Sequence, residues 1–72
     1  MYGRITVKVV DGLGLTVTTA SVAAYKDPVQ QKRVCHSMLA QVRTRWTHCD
    51  ESDRAQWGYE ARDDSGRMIS YG

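Results

Sequence analysis

The sequence predicts an α+β domain, a two-layer sandwich in which one amphipathic helix packs on an antiparallel sheet of two hairpins. Three observations carry this. Apolar and polar side chains alternate along residues 4–10 and 57–62, as a half-covered strand requires. Asp27-Pro28 opens a segment in which apolar residues recur at helical spacing. Glycine-bearing turns stand at residues 11–14 and 63–66, where the strands must reverse.

The elements follow in ββαββ order. Residues 4–10 form the first strand, with Ile5, Val7 and Val9 on the covered face. Asp11-Gly12-Leu13-Gly14 supplies turn residues, and the return strand begins at Leu15, with Leu15 and Val17 inward and Thr16 and Thr18 outward. Residues 21–25 either extend that strand past a bulge or lead into the helix. Asp27 can cap the helix, Pro28 suits its first position, and Gln30 stands where a capping box would close. Cys35, Met38, Leu39, Val42, Trp46 and Cys49 then fall in one stripe about 100° wide, which predicts a helix over 28–48. Residues 50–53 end it, with Ser52 or Asp53 capping a short further turn. Trp57, Tyr59 and Ala61 face inward on the third strand, and Ile69 or Tyr71 does so on the fourth.

At 72 residues the chain is one domain, 1–72. A chain this short buries only about 60% of its unfolded surface, which leaves little room for a walled active site and favours a flat binding surface. The hydrophobic fraction of 42% and charged fraction of 25% are those of a globular domain and exclude disorder. A net charge of +2 permits an acidic partner without demanding one. No stretch approaches the roughly 18 apolar residues of a membrane span, and the first residues lack a signal-peptide pattern. The expected location is therefore cytoplasmic.

Cys35-His36 and His48-Cys49 are the sharpest candidate constellation, because all four residues are zinc-ligand types. On a continuous helix, however, the two cysteines stand about 21 Å apart, too far to share an ion or a disulfide. They are read as small core residues, and the histidines as solvated. A Cys35 nucleophile would be buried and inert, with His36 pointing away. Asp11-Gly-Leu-Gly14 joins two strands and is a hairpin turn rather than a phosphate loop. Asp63 and Asp64 are solvated turn residues. No catalytic residue, metal or cofactor is expected, and the chain is read as not an enzyme.

The basic residues form two sets. Lys32, His36 and Arg43 flank the apolar stripe of the helix, with Arg33 further out. Arg4, Lys8 and Arg62 share the outward parity of the sheet, beside Thr6, Thr16, Thr18, Glu60 and Ser70. Either set could meet phosphates or a carboxylate-rich surface, although wet faces of this kind are common. Base stacking on a sheet needs exposed aromatics, and only Tyr2 has the outward parity, which weighs against an RRM or cold-shock reading. A helix-turn-helix would need a second long helix.

In its size, its hairpin–helix–hairpin order with Asp27-Pro28 opening the helix, and its terminal hairpin at residues 57–66, the chain resembles small inhibitor proteins of phages and mobile elements, including anti-CRISPR proteins. That resemblance implies a stoichiometric inhibitor binding a nucleoprotein complex of a bacterial defence system. The leading expectation is thus a non-enzymatic binding protein that meets a protein or nucleoprotein complex through Arg4, Lys8, Lys32, Arg43 and Arg62. One alternative is a weakly specific nucleic-acid-binding module using the same residues. Another is a homodimeric subunit paired through a sheet edge, for which Val10, Val22 and Tyr25 are the unplaced apolar residues.

Overall fold

The computed structural model describes residues 3–72. Its elements are β1 (Arg4–Val10), β2 (Thr16–Ala23), α1 (Pro28–Arg45), α2 (Glu51–Arg54), β3 (Gly58–Arg62) and β4 (Met68–Tyr71). The strands lie in the order β2-β1-β3-β4, and each neighbouring pair is antiparallel. Because β2 and β3 both oppose β1, they run parallel to each other with β1 between them. Such strands need a crossover, and α1 supplies it on one face of the sheet. The fold is the α+β sandwich that the sequence predicts.

Both hairpins close on the same five-residue turn. The Asp11 carboxylate accepts from the backbone N–H groups of Leu13 and Leu15, each at 2.9 Å. Asp63 accepts in the same way from Ser65 at 3.0 Å and Arg67 at 3.1 Å. In each, the fourth residue is a glycine at positive φ, Gly14 at 83° and Gly66 at 84°, and its N–H returns to the aspartate carbonyl. The Ser65 hydroxyl also donates to Asp63, and this bond is the main reason the Asp63 carboxyl titrates below its ordinary range.

Two bulges alter the expected faces. On β2, Thr18 opposes Val9 and Thr16 opposes Val10, so Val17 is an extra residue. One inserted residue reverses the side-chain parity beyond it. Thr18, expected outward, is half-buried opposite inward-facing Val9. Leu15, expected inward, precedes the bulge as the last residue of the Asp11 turn and is 63% exposed. On β4, Ser70 opposes Ala61 and Met68 opposes Arg62, which leaves Ile69 as the extra residue. Ser70 therefore turns toward the helix, where its hydroxyl lies 2.8 Å from that of Tyr59. Ile69 and Tyr71, one of which was expected in the core, are both exposed. Residues 21–23 extend β2, the first of the two paths the sequence left open.

The helix begins as expected. Asp27 accepts from the Val29 N–H at 3.0 Å, and Pro28 occupies the first turn. The glutamine that ties this end down is Gln31 and not Gln30, which is exposed. Gln31 is only 3% exposed. Its side-chain oxygen accepts from Tyr25 N–H at 2.6 Å, and its amide donates to the Ala23 carbonyl at 3.2 Å and to the Cys35 sulfur at 3.8 Å. One buried amide thus joins the end of β2, the connecting loop and the helix.

The helix ends at Arg45, three residues short of the expected 48, with Trp46 as its C-cap at ψ 60°. A pair of arginines holds the chain in the turn that follows. Arg43 donates to the carbonyls of Arg54 at 3.0 Å, Ala55 at 3.4 Å and Trp57, while Arg54 donates to those of Cys49 at 3.1 Å and Arg43. These donors satisfy carbonyls that neither α1 nor the short α2 can pair internally. Asp50 precedes α2 as its N-cap residue, in place of Ser52 or Asp53.

The core is Cys35, Leu39 and Val42 from α1 against Ile5, Val7 and Val9 of β1, Tyr59 and Ala61 of β3, and Trp57 at its entry. Met38, Trp46 and Cys49 pack at its margin. Leu39→Ala should lower the unfolding free energy by about 2–5 kcal/mol, since it leaves a cavity between helix and sheet. Urea denaturation followed by tryptophan fluorescence measures this, and a loss under about 1 kcal/mol would mean that the helix is not pressed on the sheet as described.

Candidate functional site

One helix covers one face of the sheet and leaves the other open. On that open face, Thr6 lies between Arg4 and Lys8 on β1 and pairs with Arg62 on β3 and Ser21 on β2. Cross-strand neighbours stand roughly 5 Å apart, and next-but-one residues on a strand about 7 Å, so three cations surround one threonine. Lys8 pairs in register with Glu60, whose carboxylate lies 3.8 Å from the Arg62 guanidinium. This is the one ion pair among the described residues. Glu60 in turn pairs with Tyr71.

Two of the cations are held in place. Arg4 donates through Nε to the Ser21 hydroxyl and through Nη2 to the Ser21 carbonyl, both at 2.8 Å. Arg62 donates to the Gly66 carbonyl at 2.9 Å. A guanidinium has five N–H donors, so both retain free ones. Three cations against one carboxylate, with the hydroxyls of Thr6 and Ser21 between them, make a face suited to oxyanions such as carboxylates and phosphates.

The structure does not bring all five expected binding residues together. Arg4, Lys8 and Arg62 form the cluster. Lys32 stands on the solvent side of α1, on the opposite face of the molecule, beside a shallow depression lined by Val29, Arg33 and His36. Arg43 is engaged in the turn after α1, where its donors meet three carbonyls of its own chain. Its role there is structural. Sequence spacing placed it beside the apolar stripe correctly, but nothing in the spacing showed that residues 54–57 return beneath it.

Tyr71 is the residue of this face that the sequence reading missed. It is 71% exposed and shares the outward side of Glu60. The bulge at Ile69 decides its direction, and no residue in that stretch marks a bulge in advance. Tyr2, to which the outward aromatic position was assigned, lies outside the described residues.

The cysteine–histidine pairs also find their places. Cys35 and Cys49 are free thiols, the first buried and the second half-buried. Because α1 stops at Arg45, His48 and Cys49 lie in the following turn and not on the helix. Among the described residues no group of three His, Cys, Asp or Glu side chains is placed to hold a metal ion. His36 meets the edge of the Tyr59 ring, with centroids 5.2 Å apart and planes at 81°. Beneath it, burial pushes the Cys35 thiol above its ordinary 9.0 and the Tyr59 phenol above its ordinary 10.0, each only partly offset by a hydrogen bond, from Gln31 and with Ser70 respectively. A protonated, buried thiol is a poor nucleophile.

No helix among the described residues is long and apolar enough to cross a membrane. Comparison with protein families, curated proteins and solved structures finds no match to this chain. The functional reading therefore rests on the site itself.

Two outcomes follow from this geometry. Arg43→Ala should cost about 1.5–3 kcal/mol through its lost charged hydrogen bonds, whereas Arg4→Ala should stay within about 1 kcal/mol of wild type. Equal losses in thermal melts would contradict the division into a structural and a surface arginine. The raised Cys35 and Tyr59 values mean that the unfolded chain releases these protons first. Their contribution to stability is complete below about pH 9 and is lost as pH rises beyond it. The midpoint of thermal unfolding should therefore fall above about pH 9, and Cys35→Ala and Tyr59→Phe should each flatten that slope. A slope unchanged in both variants would reject the assignment.

Proposed function

We propose that this chain is a non-enzymatic binding protein whose open sheet face docks on an anionic surface of a larger protein or nucleoprotein complex. The observation that carries the reading is the cluster of Arg4, Lys8 and Arg62 around Thr6, set on the two central strands. Central strands are the most rigid part of a small sheet, and Arg4 and Arg62 are held by their own hydrogen bonds, so these two are presented with little ordering left to do on binding. Arginines with one side of the guanidinium fixed and the other free are suited to act as interface anchors.

The most specific form of this reading is a small inhibitor of phage or mobile-element type, of the anti-CRISPR kind, acting on a bacterial defence complex. Its support is the hairpin–helix–hairpin architecture together with the cationic face, which fits the acidic side chains or the bound nucleic acid that such a complex exposes. The bacterial cytoplasm is the compartment this implies, and unpaired Cys35 and Cys49 accord with it. The test is expression of the chain in bacteria that carry active CRISPR–Cas systems of several types, with plasmid interference as the readout. Wild type should relieve interference by at least one system. The Arg4→Glu/Lys8→Glu/Arg62→Glu variant, checked for folding by circular dichroism, should not. No relief in any system, or relief that survives the triple variant, would overturn the respective half of the proposal.

Tyr71 favours a second reading, weakly specific binding of single-stranded nucleic acid on the same face, with the ring as a stacking surface. Three phosphate contacts on a single strand would reduce affinity about 20-fold between about 50 and 200 mM salt. A gel shift with a generic oligonucleotide at both salt concentrations tests this. No shift at the lower concentration rejects it.

A further inference from the structure

At the end of the molecule where the β1–β2 turn meets the segment after α1, a groove of about 690 Å³ opens. Its walls include Leu13, Leu15 and Val17 on one side and Trp46, Trp57 and Asp53 on the other. Leu13 is 87% exposed and Leu15 is 63% exposed. Isolated surface leucines are ordinary, but two converging on a groove with two tryptophans make a contiguous apolar site. Their carrier is rigid, because the Asp11 carboxylate holds the N–H groups of both leucines.

The charge at the rim is one-sided. Among the described residues no Lys or Arg lines the groove, whereas Asp11 and Asp53 do. Asp50 and Glu51 stand exposed beside Asp53 in the chain, at the start of α2, and neither they nor Asp53 has an ion-pair partner among the described residues. Arg54, the cation of that helix, is turned inward to the carbonyls of Cys49 and Arg43 and does not neutralise the rim. The groove thus joins an apolar floor to an uncompensated acidic edge, in a chain whose formal net charge is +2. Desolvating those carboxylates against a neutral or acidic partner would be costly, while a cationic partner would satisfy them.

We propose that this groove is a docking site for a segment of a partner protein that carries a bulky aliphatic side chain flanked by Lys or Arg. The aliphatic group seats between Leu13, Leu15 and Trp46, and the flanking cations meet Glu51 and Asp53. The site is separate from the cationic sheet face and opposite to it in charge, so it does not depend on what that face binds. It gives the molecule two surfaces of different preference.

Tryptophan fluorescence of the full chain tests the proposal, since Trp46 and Trp57 both line the groove. The probes are a synthetic Lys-Arg-Leu-Leu-Arg-Lys peptide and its counterpart Glu-Asp-Leu-Leu-Asp-Glu. The basic peptide should give a saturable blue shift and bind at least about tenfold more tightly than the acidic one. Leu13→Ser/Leu15→Ser should weaken it by about tenfold, and Glu51→Lys/Asp53→Lys should reverse the preference between the peptides. All four positions are exposed, so both variants should fold, and circular dichroism verifies it. No shift with the basic peptide, equal binding of both peptides, or undiminished binding by a hexalysine peptide that lacks the leucines would overturn the proposal. So would a concentration-dependent blue shift without peptide that the leucine variant abolishes, since a second copy would then be the occupant.

Discussion

The packing of one helix against a four-stranded sheet governs everything else in this molecule. Leu39, Cys35 and Val42 are buried on Ile5, Val7, Val9, Tyr59 and Ala61, and no second long helix among the described residues repeats that on the other side. Burial of this stripe provides the main favourable term, and it also fixes which residues must face water. Every second residue of β1 and β3 is committed to the core. The intervening ones, Arg4, Thr6, Lys8, Glu60 and Arg62, are therefore brought onto one surface by the same alternation that builds the core. The cationic cluster is a consequence of strand pairing, because the β1–β3 register places Thr6 opposite Arg62.

Much of this was legible in the sequence because it depends on local rules. The strand alternation at residues 4–10 and 57–62, the Asp27-Pro28 start and the two aspartate–glycine turns each have a mechanism confined to a few residues. Where the reading failed, the deciding contact was distant. Trp46 and Cys49 continue the helical stripe in sequence, yet the helix stops because Arg54 and Arg43 offer donors to each other's segment across eleven residues. Val17 and Ile69 bulge because of how two strands meet, and one inserted residue on each strand moves Thr18, Ser70 and Tyr71 to faces that strict alternation denies them. Gln31 is the converse case. It sits four residues before Cys35, on the same stripe, but its polarity hid its burial, and only the Ala23 carbonyl at the end of β2 and the Tyr25 N–H of the loop that it satisfies explain its place.

The arginines show why residue type is a weak guide to role. Arg43, Arg54, Arg4 and Arg62 all donate to backbone carbonyls, so hydrogen bonding alone does not separate structural from available cations. What separates them is where the carbonyls are. Those met by Arg43 and Arg54 belong to helix ends and the turn between them, near the core margin, where few backbone N–H groups are left to pair them. Those met by Arg4 and Arg62 belong to an edge strand and a hairpin loop, and water could serve them equally well. The first pair is costly to remove from the fold, while the second is fixed in direction and still free to act.

This difference bears on how a domain of this size can recognise anything. Its core is too thin to wall a deep pocket, so recognition must come from surfaces whose side chains are already ordered. The sheet supplies such order on its open face through Ser21 and Gly66, and the Asp11 turn supplies it at the hairpin tip through Leu13 and Leu15. Both features hold the presenting residues by hydrogen bonds within the fold itself, to the Ser21 and Gly66 carbonyls on the sheet and to the Asp11 carboxylate at the turn. A partner that met either surface would thus pay little of the ordering cost that flexible lysines and loops impose. On this view, the restriction to one buried face leaves a small chain with two exposed and preorganised surfaces.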